Sequence, residues 1–154
     1  MRAYEQVVAD LAATVREYGW AVRVVYGTAS RPPWVYTVGL GESDLPELVV
    51  TGLPAERAVA LLNDVAEHLV HSGVPPRAGE RRRWAGGPET EFVEIAEPDV
   101  HLLHAVALYG EGRRALQVVW ADEEGRWPWE SGRQPVLGRR APDAPPLAGD
   151  EPSA

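Results

Sequence analysis

A chain of 154 residues with 45% hydrophobic content can close one ordinary core and is too short for two comfortable domains. It has no cysteine, and each of its 15 basic residues is arginine, which excludes disulfide frameworks, thiolate metal sites, thiol nucleophiles, Schiff-base lysines and the lysine of a phosphate-binding loop. A formal charge of −8 disfavours binding to a phosphate backbone, and no run approaches the ~18 apolar residues that a membrane span needs.

In chain order, Tyr4, Val7, Val8, Leu11, Val15 and Tyr18 recur at spacings of three and four, which predicts an amphipathic helix over 3–18 closed by Gly19. The β-branched, aromatic runs WAVRVVY (20–26), WVYTVGL (34–40) and PELVV (46–50) predict three strands, and their short links favour antiparallel pairing. Pro54 opens a helix whose stripe Ala58, Leu61, Leu62, Val65, Ala66 and Leu69 ends near Gly73. ERRRWAG and TEFVEIA read as a hairpin about Gly86-Gly87-Pro88. DVHLLHAVALYG, after Pro98, is apolar almost all round and predicts a short buried helix, and RALQVVWAD is the last clear strand. Residues 139–154 are rich in proline and charge and predict a disordered tail beyond a single domain at 1–138. The fold class is therefore α+β: a mixed, mostly antiparallel sheet of five or six strands with two longer helices and one short buried helix.

Dinucleotide, nucleophile-elbow and zinc fingerprints are missing. Asp64, His68 and His71 stand at i, i+4 and i+7 on the second helix, a spacing that can hold a metal, although polar residues commonly border an apolar stripe and a cationic His71 suits the last turn. His101 and His104 sit one turn apart in an otherwise apolar helix with Asp99 before them. Burial there lowers an imidazole pKa and makes them candidate acid–base groups, against the commoner case of core histidines satisfied by one carbonyl. The four consecutive-looking cations Arg77, Arg81, Arg82 and Arg83 read as a solvated face.

The third set is aromatic and polar: Trp34, Tyr36, Thr37, Gln117, Trp120, Asp122, Trp127, Trp129 and Gln134. Gln117 lies inside an apolar strand, where its amide needs partners. The indoles either fill a core that has one Phe and one Met or wall a pocket with a few placed polar groups. Gly39 and Gly41 leave backbone bare beside Tyr36 and Thr37, as a hairpin or a ligand approach would require.

WVYTVGL with PELVVTGLP, then LQVVWAD, GRWPW and QPVLG, resembles the bacterial domain-of-unknown-function family 4262 over roughly residues 17–138. Tyr36, Thr37, Gly39, Leu40, Gln117, Trp120, Asp122, Gly125, Pro128, Trp129, Gln134 and Pro135 coincide with its motifs; Ala121 and Trp127 depart from them. The resemblance implies an α+β domain of actinobacterial type and no particular reaction. Motifs carried on neighbouring strands would converge on one rim of the sheet.

From this the expected function is a cytoplasmic binding or accessory module with no cofactor. Its Trp-lined pocket would take a small molecule or peptide end through Tyr36, Thr37, Gly39, Gln117, Trp120, Asp122, Trp129 and Gln134. The alternatives are an enzyme using His101 and His104 for acid–base or metal-assisted chemistry, and a self-associating protein such as a homodimer. Nucleic-acid and membrane partners are not expected.

Overall fold

Alternation along RALQVVWAD puts Leu116 and Val118 on one side of a strand and Ala115, Gln117 and Val119 on the other, and both sides are buried because this strand, β6 (Ala115–Trp120), lies inside the sheet. The computed structural model describes residues 2–29, 33–132 and 134–145. Within them, helix α1 (Arg2–Tyr18) leads through Gly19 into β1 (Ala21–Val25), followed by β2 (Trp34–Val38), a 3₁₀ turn (Leu40–Ser43) and β3 (Glu47–Thr51). Helix α2 (Ala55–Ser72) precedes the hairpin of β4 (Arg81–Arg83) and β5 (Glu89–Ile95). Helices α3 (Pro98–His101) and α4 (Leu103–Tyr109) then lead to β6, one-turn helix α5 (Pro128–Ser131) and β7 (Gly138–Arg139).

The strand order is β1-β2-β3-β6-β5-β4, with β7 also on β5; β3 and β6 run parallel and every other pair is antiparallel. The class is α+β as the patterning predicts, and the sheet has seven strands rather than five or six because β7 straddles the expected boundary between domain and tail at 138. Helix α2 covers one face, where Leu61, Leu62, Val65 and Leu69 meet Val35, Leu48, Val50, Phe92, Leu116 and Val118. Helices α1 and α4 lie on the other face over Tyr36, Val38, Val49 and Ala115. No helix among the described residues is long and apolar enough to cross a membrane.

Two expectations change here. The apolar segment after Pro98 is broken at Leu102 (φ −109°, ψ 56°), and only Leu102 and Ala105 are buried, whereas Val100 and Leu103 are more than half exposed. A helix this short has too few residues on one face to bury all of its apolar side chains against a sheet already covered by α1. The segment 138–145 is placed on the sheet as well: Gly138 and Arg139 pair with Ile95 and Glu94, and Arg140 reaches Glu91, while residues 146–154 lie outside the described residues. What composition alone cannot flag is Glu91, a fully buried carboxylate whose two oxygens take the flat fork of an arginine 49 residues away.

Arg140→Gln removes two charge-assisted bonds to Glu91 while Arg81 stays on the same carboxylate. The expected loss is about 2 kcal/mol, or roughly 4–8 °C in Tm for a chain of this size, read by thermal denaturation against wild type.

Candidate functional site

The bare backbone after Thr37 wraps a carboxylate. Glu47, at the start of β3, is 2% exposed, and its Oε2 accepts from Gly39 N–H (2.8 Å) while Oε1 accepts from Thr37 Oγ1–H (2.8 Å) and Leu40 N–H (3.1 Å). Thr37 Oγ1 in turn accepts from Leu48 N–H at 2.8 Å. Gly39 has φ +112°, and a Cβ there would stand 2.7 Å from a methyl of Val15, so only glycine lets the chain turn over Glu47 while α1 lies close. Burial pushes the Glu47 carboxyl up, and the donors of Gly39, Thr37 and Leu40 pull it partly back. Among the described residues it has no ion pair. Glu47 is absent from the candidates that the sequence offers; its signal is the glycine-bearing turn after Thr37, whose bare amides need an acceptor.

The late motif forms a second internal tie. Gln117, fully buried, donates from Nε2 to Thr51 Oγ1 (3.0 Å) and Pro135 O (2.7 Å), and its Oε1 accepts from Leu137 N–H (2.7 Å). Both amide donors are therefore engaged within the protein. Thr51 Oγ1 also donates to Pro135 O (2.6 Å). Gln134 lies against the end of β6 like an added strand residue: Nε2 donates to Trp120 O (2.7 Å) and Oε1 accepts from Trp120 N–H (3.2 Å). Gly52, at φ +81°, makes room, since a Cβ would sit 2.8 Å from that of Gln134.

The two motifs do not meet at one rim. Strand β3 separates β2 from β6, and its antiparallel pairing with β2 and parallel pairing with β6 send Gly39 to one end of the sheet and Trp120 with Asp122 to the other. Gly39 is thus parted from Trp120, Asp122 and Gln134, whereas Tyr36 and Gln117 lie level in one row of the sheet with Val49 of β3 between them. Trp129 stacks on Trp127 (5.4 Å, 5°) beside the tail and does not face Trp120's groove.

That groove, about 550 Å³, opens between the Gly86-Gly87-Pro88 turn and residues 120–125. Trp120 lines it, with its indole N–H held by Thr51 O (2.9 Å) and its ring packed in part against the core beneath α2. Asp122 shapes the wall by accepting from the backbone N–H groups of Glu124 (2.9 Å) and Arg126 (2.8 Å). Arg83 pairs with Glu89 (3.3 Å), whereas Arg57 and Glu123, also on the rim, have no ion pair among the described residues.

The histidines are scattered. His104 is joined to buried Tyr36, whose Oη accepts from His104 N–H (3.0 Å) and lies 3.0 Å from Nδ1. Nδ1 is the acceptor within reach of the phenol proton among the described residues, and a neutral ring that takes that bond carries its own proton on Nε2. Burial, then the charge of Arg23, lowers the His104 pKa; Arg23 itself buries Nε without a partner among the described residues. His101 offers its carbonyl to Trp34 Nε1–H (2.9 Å), and its ring meets that indole edge-on. On α2, His68 packs edge-on against Trp84, while Asp64 and His71 are exposed. Among the described residues no three His, Asp or Glu side chains are gathered as a metal would need. In the arginine run, Arg81, Arg82 and Arg83 each face a glutamate.

Two measurements probe these ties. Glu47→Gln places an NH₂ group against at least one N–H donor, and a loss of about 2–3 kcal/mol is expected in denaturant unfolding. Burial raises the Tyr36 phenol from 10.0 to about 12. A folded pKa above the unfolded one means that the neutral phenol's contribution is intact below pH 10 and is lost as the pH rises toward 12. About 2–3 kcal/mol should vanish over that window, and Tyr36→Phe, compared by unfolding at each pH, should lack this component.

Comparison with curated proteins and with solved structures finds no match. Over residues 14–134, however, the chain matches the model of the family described as Domain of unknown function (DUF4262), and it belongs to that family.

Proposed function

We propose that the protein is a binding module whose ligand, a small polar molecule or a peptide end, lies on the indole of Trp120. The observation that carries this reading is the groove: about 550 Å³ is the size of small-molecule sites, its one aromatic lining residue is Trp120 with its N–H already satisfied, and Arg57 and Glu123, which have no ion pair among the described residues, stand at its edge. Tyr36, Thr37, Gly39, Gln117 and Gln134 support such a site by fixing the sheet rather than by touching the ligand. The net charge of −8 favours a small ligand over nucleic acid.

A second reading rests on His104, whose ring is oriented by Tyr36 and kept neutral near pH 7 by burial and by Arg23. In that state Nε2–H donates a hydrogen bond and can polarise a substrate oxygen, the part a neutral imidazole plays as an electrophile.

Native mass spectrometry of the purified protein decides between these. A copurifying small molecule that is lost in Arg57→Glu, with Tm changed by no more than a degree or two because the side chain is exposed, is the expected result. A ligand retained in Arg57→Glu and lost in His104→Ala would replace the first reading by the second. No bound molecule, together with no thermal shift from dipeptides and small carboxylates, would overturn the binding module.

A further inference from the structure

Separate from the groove, the edge of β5 carries a stack of four flat groups. Arg81 lies over Trp127 (4.3 Å), Trp127 over Trp129, and Arg140 against Trp129 (4.2 Å). Both guanidinium groups reach one carboxylate, Glu91, which is 0% exposed: Arg81 Nε donates at 3.1 Å, and Arg140 donates side-on, Nη2 to Oε1 at 2.7 Å and Nε to Oε2 at 2.9 Å.

The two arginines are not equivalent. Arg81, on the strand next to β5, already neutralises Glu91, so the second guanidinium is not demanded by charge. It is held by shape: a planar fork fits the two oxygens and a flat face fits the indole, neither of which an ammonium group provides. Its carrier adds a strand of only two residues, β7, and Arg140 Nη2 also donates to Pro145 O (2.6 Å), so the segment folds around the guanidinium it presents. The Trp129 indole N–H is, besides, buried without an acceptor among the described residues, so with Arg140 in place one donor goes unused; an arginine presented on a peptide brings carbonyls with it.

We propose that Glu91 and Trp129 form a guanidinium-recognition site that Arg140 fills in cis, and that the arginine side chain of a peptide partner takes Arg140's place. Residues 138–145 are then a strap over the site, with the chain's own Arg140 as its occupant.

Titration of wild type and Arg140→Ala with Nα-acetyl-arginine amide, followed by the Trp129 indole N–H resonance, tests this. In Arg140→Ala a saturable shift is expected in the millimolar range, with none from the matching lysine derivative. Wild type should need about tenfold more or higher, because tethered Arg140 competes at a high effective concentration. Silence of the variant, an equal response to the lysine derivative, or wild type responding at the same concentration as the variant would each overturn the proposal. If Arg140→Ala loses its native spectrum, Arg140→Lys, which keeps the charge without the fork, takes its place with the same expected and overturning outcomes.

Discussion

Polar side chains buried in the middle of the sheet must be satisfied there, and the loops of this protein take the paths that satisfy them. Thr37, Glu47, Thr51, Glu91 and Gln117 are all at most 2% exposed. An unmet donor or acceptor at such a position costs about 1–3 kcal/mol, and an unmet charge costs more, so each of the five fixes a stretch of chain that would otherwise be free to wander. Glu47 draws in 39–40, Gln117 and Thr51 hold 135–137, and Glu91 holds Arg140. The hydrophobic layers on the two faces supply the driving force. The polar ties choose which of several ways of covering the sheet is taken.

The parallel pairing of β3 with β6 gives these ties their arrangement. Glu47 and Ala115 begin together at one rim and Thr51 and Trp120 end together at the other. One rim therefore carries the glycine nest around a carboxylate, and the opposite rim carries the Gln117–Gln134 clip with the Trp120 groove just outside it. Rigidity under the groove follows: Trp120 is fixed through its backbone by Gln134 and through its indole by Thr51, so a ligand on its ring would meet a surface already ordered.

Most elements were legible because their patterns are local. Helix α2 declares itself in an unbroken 3.6-residue stripe between Pro54 and Gly73, and Gln117 stands out as a lone amide in an apolar strand. What was not legible depends on distant partners. A glutamate beginning a strand looks like a solvated residue until Gly39 and Leu40 fold over it, and Arg140 looks like part of a polar tail until Glu91 is seen to be buried. The parallel β3–β6 pairing joins segments some 68 positions apart, so the register between the two motifs, and with it their separation to opposite rims, had no local signature. Helices α3 and α4 failed for the converse reason: composition says apolar, but burial depends on how much sheet α1 leaves uncovered.

The arginine stack shows how an aromatic-rich sequence can mislead in a particular direction. Six tryptophans in a chain with one phenylalanine invite the choice between core and pocket. At Trp127 and Trp129 that choice does not apply, because the indole faces are covered neither by aliphatic side chains alone nor by solvent but by guanidinium groups from β4 and from the segment after β7. Cations on aromatic faces need a counter-charge when they are withdrawn from water, and the Glu91 carboxylate supplies one to both. A surface of this construction selects for arginine over lysine and for a carboxylate over an amide at its foot, which gives the site its chemical specificity whether the guanidinium comes from the same chain or another.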